Sequence, residues 1–168
     1  MRAAFRFALA SLLLTMLATG LDGPAVRAAP GKPVPIAVVV SARSTWSEIS
    51  LALLRRAFLG ELAEYAGVRL VPFNHDAADP VRVAFDAQVL DMTAAMSGRY
   101  WVDRRIRGQG LPPRTIATVA LLRAVIARLP GGIGYLPADQ LDASVKALQI
   151  DGLAPGHPAY PLRVERGP

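Results

Sequence analysis

The sequence predicts an α/β domain. Short runs of β-branched and apolar residues, which are typical of buried strands, alternate along the chain with stretches whose apolar side chains recur at helical spacing. Strands and helices in this order favour a mixed sheet flanked by helices. A chain of 168 residues is expected to form one domain.

The N-terminus has the features of an export signal. Arg2 and Arg6 precede an apolar run at residues 7–17, and small residues around Ala28 suit cleavage. The run is short for a membrane span. We therefore predict a signal peptide at residues 1–28, a periplasmic location and no stable membrane span after cleavage, with an uncleaved anchor as the alternative.

Composition limits the classes of function. The chain has no cysteine, so no disulfide is available and the core alone must hold the exported protein together. Removing residues 1–28 takes away Arg2, Arg6, Arg27 and Asp22, which leaves 16 basic against 12 acidic side chains and a net charge of +4. This mild excess favours anionic ligands or surfaces. Basic and aromatic residues are not interleaved as single-stranded nucleic acid requires, so nucleic acid is excluded as a partner.

The elements follow from local patterns. Asp79 and Pro80 are a strong helix start, because aspartate caps a helix and proline suits its first position. Ser47 is the predicted cap of an earlier helix. The predicted elements, in order, are a strand at 36–40, a helix at 47–59, a strand at 68–73, helices at 79–90 and 93–107, a helix from 117, a strand at 133–136, a short helix at 138–141 and a strand at 145–150.

Residues 117–136 organise this pattern. Apolar side chains at helical spacing predict an amphipathic helix that Pro130 ends. Gly131 and Gly132 are predicted to take the left-handed conformation that reverses the chain. The strand that follows contains Gly134, which allows another segment to approach closely. We divide the chain into a proline-rich leader at 29–35, a domain at 36–151 and, without a clear element, a C-terminal tail at 152–168.

Few residues could carry catalysis. His75 and His157 are far apart in sequence, and no nucleophile-elbow, zinc-protease or phosphate-loop motif is present. His75, Asp76 and Asp79 could be drawn as a metal site, and Ser44 with His75 and Asp76 as a hydrolase site. A solvated loop with a helix cap is the better interpretation. We predict no enzyme activity and no metal.

Anion binding is better supported. The helix that begins at Pro80 presents free N–H groups and the positive end of its dipole. Arg82, in the first turn, could pair with an oxyanion. Asp79 would compete for the same N–H groups, so the alternative is a simple cap at Asp79 and a surface position for Arg82.

Four segments of the sequence, taken in order, form a distinctive set. The most specific is Leu-Pro-Gly-Gly-Ile-Gly-Tyr at residues 129–135. The others are the helix ending in Phe-Leu-Gly at 58–60, the strand, loop and helix at 68–90, and Tyr-Pro-Leu at 160–162. Together they resemble the second lobe of the phosphate-binding proteins of bacterial ABC uptake systems, in the type II periplasmic-binding-protein fold, in which the first segment reads Leu-Pro-Gly-Ala-Ile-Gly-Tyr.

The resemblance implies a single lobe of a type II periplasmic-binding-protein-like fold, with no cofactor. It implies an exported solute-binding-like protein for phosphate or another small oxyanion, weak or partner-dependent. The pocket would be lined by Ser41, Ser44, Thr45, Asp79 and Arg82. The family's Ser-Gly-Thr is replaced here by Asp79, Pro80 and Val81. This replacement favours the alternative of an interaction module that binds an envelope protein and no solute.

Overall fold

The long strand β1 (Val34–Ser41) lies inside a mixed sheet of six strands in the computed structural model, which describes residues 32–165. The signal peptide predicted at 1–28 lies outside the described residues. The sheet has the order β10-β1-β7-β5-β6, and β8 also pairs with β1. The bounds are β5 (Val71–Asn74), β6 (Arg114–Thr115), β7 (Gly132–Pro137), β8 (Val145–Ala147) and β10 (Arg163–Val164).

Two small pairs of strands accompany the main sheet. The first joins β2 (Glu48–Ile49) and β9 (Gln149–Ile150) in parallel. The second joins β3 (Glu64–Tyr65) and β4 (Val68–Arg69) as an antiparallel pair. The strand predicted at 68–73 is therefore divided into β4 and β5.

Burial of β1 on both faces confirms the strand predicted at 36–40. Successive side chains of a strand point to opposite faces. Ile36, Val38 and Val40 accordingly belong to one core, whereas Ala37 and Val39 belong to a second core on the other face. The sheet is thus covered on both sides.

Within residues 32–165, four α-helices cover these faces. Each is preceded by a cap residue whose side chain accepts a hydrogen bond from a backbone N–H of the first turn. They are α1 (Leu51–Phe58, cap Ser50), α2 (Pro80–Phe85, cap Asp79), α3 (Ala94–Ile106, cap Thr93) and α4 (Val119–Arg128, cap Thr118). Leu54 and Phe58 of α1 and Phe85 of α2 pack in the first core, and Leu122 and Ile126 of α4 pack in the second. No helix within residues 32–165 is long and apolar enough to cross a membrane.

The start of α1 differs from the prediction. Ser50, not Ser47, is the cap, and its side chain accepts from the Leu53 N–H. The reason is tertiary, because the carbonyl of Ser47 accepts from the N–H of Gln149, and Glu48 and Ile49 remain extended in β2. The helix can begin only where this pairing ends.

The helix predicted from Asp79 to Leu90 changes its winding after Phe85. Residues Asp86–Leu90 form a π-helical turn that ends at Asp91, whose φ is +56°. Such wider turns are rare and are frequent at functional sites. Asp86, the first residue of this turn, is buried.

The glycines between α4 and β7 have different roles. Gly131 has a φ of +76°, and a Cβ there would lie 2.0 Å from the Arg69 carbonyl oxygen. Gly132 was predicted to be left-handed, but it is the first residue of β7 and is not among the positive-φ glycines. At Gly134 a Cβ would lie 2.8 Å from the Ile126 Cδ1, so α4 packs closely on β7 there.

The end of the chain is more structured than predicted. Residues 145–150 form two strands, because Ala147 pairs with β1 whereas Gln149 and Ile150 pair with β2. The segment predicted to lack a clear element contains β10, which pairs with the start of β1. Tyr160 is buried before it, and its hydroxyl donates to the Ile36 carbonyl at 3.0 Å.

The turn at Gly131 gives a stability prediction. Gly131→Ala should lower the free energy of unfolding by about 2 to 3 kcal/mol, because the new Cβ meets a backbone carbonyl and the φ is unfavourable. Gly98→Ala is the matched control, because Gly98 lies within α3 and a Cβ added there would meet no atom within 4 Å. The control should raise the free energy of unfolding by about 0.5 to 1 kcal/mol. Urea unfolding measures both, and equal stabilities of the two variants would contradict this account.

Candidate functional site

Three strands of the sheet end at the same edge. β5 is parallel to both β6 and β7, so Asn74, Thr115 and Pro137 lie at what we call the carboxyl edge. Ligands of open α/β sheets bind outside the carboxyl ends of strands. A cavity of about 230 Å³ lies there, and its polar lining residues are Asn74, Arg82, Asp86, Ser97 and Thr115.

The main polar feature of this cavity is a buried ion pair. The Arg82 Nε donates to the Asp86 Oδ1 at 2.7 Å, and the two side chains are only 10% and 4% exposed. The Arg82 Nη1 donates to the His75 carbonyl and the Nη2 to the Ser97 Oγ, both at 3.4 Å. These contacts hold α2 to the loop after β5 and to α3.

Burial and Arg82 have opposite effects on the carboxyl group of Asp86. Burial raises the pKa of Asp86 above its ordinary value, against the hydrogen bond and positive charge of Arg82 and a hydrogen bond with Ser97. A buried charge without a partner is costly, so each member makes burial of the other tolerable.

A second buried network fixes the end of β5. The Tyr135 hydroxyl donates to the Asn74 Oδ1 at 3.0 Å. The His75 Nε2 lies 2.7 Å from the Tyr135 carbonyl, and since a carbonyl only accepts, this nitrogen carries the proton. Phe85 stacks on the Tyr135 ring with centroids 3.8 Å apart. Burial raises the pKa of Tyr135 far above its ordinary value, so its hydroxyl stays a donor.

Four of the five predicted site residues line two different cavities, and Asp79 lines neither of them. Ser41 is the last residue of β1, and Ser44 and Thr45 lie in the loop after it. Because β1 runs antiparallel to β7, this loop leaves the sheet at the edge opposite to Asn74. Together with Arg43, Gly131 and Gly132, these three residues line a cavity of about 300 Å³. Arg82 lies at the carboxyl edge instead. The structure does not bring the five residues together in one pocket.

The local contacts of Ser41, Ser44 and Asp79 are those of turns and helix ends. The Ser41 hydroxyl donates to the Ala127 carbonyl at 3.2 Å, and the Ser44 Oγ accepts from the Trp46 N–H. The Asp79 Oδ1 accepts from the Val81 N–H at 2.8 Å, which occupies a donor at the start of α2. Pro80 has no N–H to offer. The start of α2 is therefore a poor anion site by itself.

Sequence reasoning missed Asp86, Ser97, Asn74 and Thr115. The spacing of Arg82 and Asp86, four residues apart on one helix, was a readable signal of an ion pair. Ser97 and Thr115 carried no signal, because tertiary packing alone brings α3 and β6 to α2. Within residues 32–165 no His, Asp or Glu side chains are grouped so as to hold a metal ion.

Solved structures with the same fold come from phosphate-uptake proteins. A candidate phosphate ABC transporter substrate-binding protein from Clostridium perfringens, solved with bound phosphate, has a TM-score of 0.64 and 13% identity over 79% of this chain and 54% of its own. An ABC-type phosphate transport receptor from Vibrio cholerae gives 0.63 and 12% over 79% and 55%. PstS from Borrelia burgdorferi gives 0.61 and 10% over 81% and 56%.

The similarity establishes the fold. The chain spans about half the length of these structures and has the fold of a single lobe of phosphate ABC transporter substrate-binding proteins, with a mixed sheet flanked by helices. The predicted fold class and resemblance are thereby confirmed. No protein-family model and no curated protein matches the sequence.

The buried ion pair gives a second stability prediction. Arg82→Ala should lower the free energy of unfolding by about 3 kcal/mol, because the Asp86 carboxylate is left buried without its partner. Arg107→Ala is the matched control, since the Arg107–Asp103 pair has the same spacing but side chains that are 62% and 57% exposed. The control should change stability by less than about 1 kcal/mol. Denaturant unfolding of both variants tests this, and similar losses would contradict a structural role for the buried pair.

Proposed function

We propose that the chain is an exported, non-catalytic solute-binding lobe that binds a small oxyanion of the phosphate class weakly at the carboxyl edge. The observation that carries the proposal is a buried arginine, Arg82, that lines a cavity beyond the ends of β5 and β6. Arginine presents planar N–H groups that match the oxygens of a phosphate.

Enough donors surround the cavity for such a ligand. A guanidinium has five N–H groups, and the contacts to Asp86, His75 and Ser97 engage three. The Asn74 Oδ1 accepts from Tyr135, so the amide N–H groups of Asn74 are left to donate. The hydroxyl of Thr115, at the end of β6, adds a donor.

Asp86 gives the proposed site a preference among anions. An ionised carboxylate repels an oxyanion unless that ion brings a proton to share. Hydrogen phosphate carries an O–H group that can donate to Asp86, whereas sulfate carries none. The site is therefore expected to prefer phosphate to sulfate while Asp86 is ionised.

Weak affinity follows from the same geometry. Tight small-molecule sites bury most of the ligand surface. This cavity is formed by a single lobe, so a ligand in it would be enclosed on one side only. The Arg82–Asp86 pair adds no net charge to attract an anion. We expect a dissociation constant in the millimolar range, or about 4 kcal/mol of binding free energy.

Export and the absence of catalysis belong to the same proposal. Export is proposed because residues 1–28 have the sequence features that predict an export signal. Binding of a solute needs no reacting group. The buried His75 donates its Nε2 proton to a backbone carbonyl and lies at the opposite edge from Ser44, so the pair does not form a nucleophile and base.

A second candidate function is an interaction module that binds an envelope protein and no solute. The Arg82–Asp86 pair favours it, because each charge is already balanced without a ligand. The two candidates differ in whether the cavity takes up an oxyanion.

Calorimetric titration of the chain with phosphate separates them. Thr115→Val removes a donor hydroxyl at nearly constant volume and should weaken phosphate binding roughly tenfold. Ser44→Ala, in the cavity at the opposite edge, is the control and should leave the affinity unchanged. Weakening by Ser44→Ala alone would move the site to that edge. No heat with either phosphate or sulfate would leave the interaction module as the function.

The pH dependence of sulfate binding tests the role of Asp86. Protonation of Asp86 removes a negative charge, so sulfate should bind more tightly as the pH falls through the raised pKa of this carboxyl group. Sulfate itself stays a dianion over this range. The preference for phosphate over sulfate that is expected at neutral pH should therefore be smaller below the pKa of Asp86. The Asp86→Asn variant should bind sulfate with the same affinity at neutral pH and below that pKa. Sulfate affinity that is independent of pH in the unmodified chain would contradict the role of Asp86.

A further inference from the structure

Two large apolar side chains are exposed at the end of α3 and in the segment that follows it. Ile106 is 78% exposed at the end of α3, and Leu111 is 72% exposed after the loop that follows. Exposed apolar residues that occur together mark interaction surfaces more often than single ones do.

The loop between them is held against the helix. The Gln109 N–H donates to the Arg104 carbonyl at 2.8 Å, and the Arg104 Nη2 returns a bond to the Gln109 carbonyl at 2.8 Å. Arg104 is itself fixed by bonds to the Tyr100 hydroxyl and the Gly60 carbonyl. The hydrogen bonds of Arg104 and Gln109 thus fix the backbone between Ile106 and Leu111.

Four exposed arginines lie near these two residues in the sequence. Arg99 lies two turns before Ile106 on the same helix face, Arg105 and Arg107 flank it, and Arg114 follows Leu111, all of them exposed. The one acidic neighbour on this part of α3, Asp103, already pairs with Arg107 at 2.9 Å. We call Arg99, Arg105, Ile106, Arg107, Leu111 and Arg114 the basic tip.

We propose that the basic tip is a docking surface for an anionic lipid bilayer, in which Ile106 and Leu111 insert among headgroups that the arginines contact. The proposal is independent of oxyanion binding at the carboxyl edge. Charge complementarity selects this occupant, because cationic and apolar side chains together are typical of proteins that bind anionic membrane surfaces.

A protein partner fits the composition less well. The centre of a protein–protein interface is depleted of charged residues and filled by packed apolar side chains. Here three exposed apolar side chains, Val102, Ile106 and Leu111, lie near four exposed arginines. Burial of such a surface against a protein would contribute little binding free energy. Contacts between its arginines and the many phosphate groups of a bilayer would contribute more.

Vesicle binding of the full chain tests the proposal. The unmodified chain should bind vesicles containing roughly one-third phosphatidylglycerol much better than phosphatidylcholine vesicles, and added salt should weaken this binding. Because each arginine near an anionic surface contributes about fivefold, Arg99→Gln/Arg105→Gln should weaken binding about 25-fold. Ile106→Ser/Leu111→Ser should weaken it about tenfold or more.

Two control variants make the same kinds of change elsewhere, one at two basic residues and the other at a single apolar residue. The first control, Lys146→Gln/Arg163→Gln, changes residues of β8 and β10, which both pair with β1. Arg114 lies on β6, the outermost strand on the other side of the strand order. Leu121→Ser replaces a 50% exposed apolar residue on α4. Both controls should bind like the unmodified chain, and residues 1–31 are common to all variants.

The opposing outcomes are distinct. Equal binding to both kinds of vesicle, or equal losses in the basic-tip variants and their controls, would overturn the proposal. Self-association that Ile106→Ser/Leu111→Ser abolishes, without preference for anionic vesicles, would assign the surface to a second copy of the chain and also overturn it. Preferential anionic binding lost only in the basic-tip variants supports it.

Discussion

The pairing of β1 with β7 is the constraint on which the rest of the structure depends. Five consecutive residues, from Ile36 to Val40, align antiparallel with β7, and their alternating side chains supply both cores. Because β1 runs opposite to β5, β6 and β7, the loop after Ser41 and the loop after Asn74 leave the sheet at opposite edges. Strand direction thereby decides which polar side chains can share a cavity.

The Arg82–Asp86 pair links stability to chemistry at the carboxyl edge. Burial of both charges is tolerable only because each satisfies the other, and the remaining bonds of Arg82 join α2 to α3 and to the loop after β5. The same bonds fix the direction of the guanidinium. The cavity therefore combines oriented donors with one carboxyl group, which is the arrangement on which the proposed oxyanion site rests.

Elements with strong local signals were predictable from sequence. Asp79 with Pro80 and the periodic apolar residues after Thr118 specify helices through short-range contacts, and the helices begin there. Predictions were wrong where a distant segment competes for the backbone. The pairing of Glu48 and Ile49 with Gln149 and Ile150 delays α1 to Ser50, and pairing of β10 with β1 orders a segment that is rich in proline and glycine.

Local sequence patterns were enough to predict the fold class, because hydrophobic periodicity, caps and the Leu-Pro-Gly-Gly-Ile-Gly-Tyr segment are local properties of the chain. The sequence identified Arg82 as a candidate but neither its ion pair nor its cavity. Only the tertiary structure brought Ser97 and Thr115 to Arg82 and separated Ser41, Ser44 and Thr45 from it. The physical reason is that a binding site is defined by distances between segments, and these follow from strand order and direction.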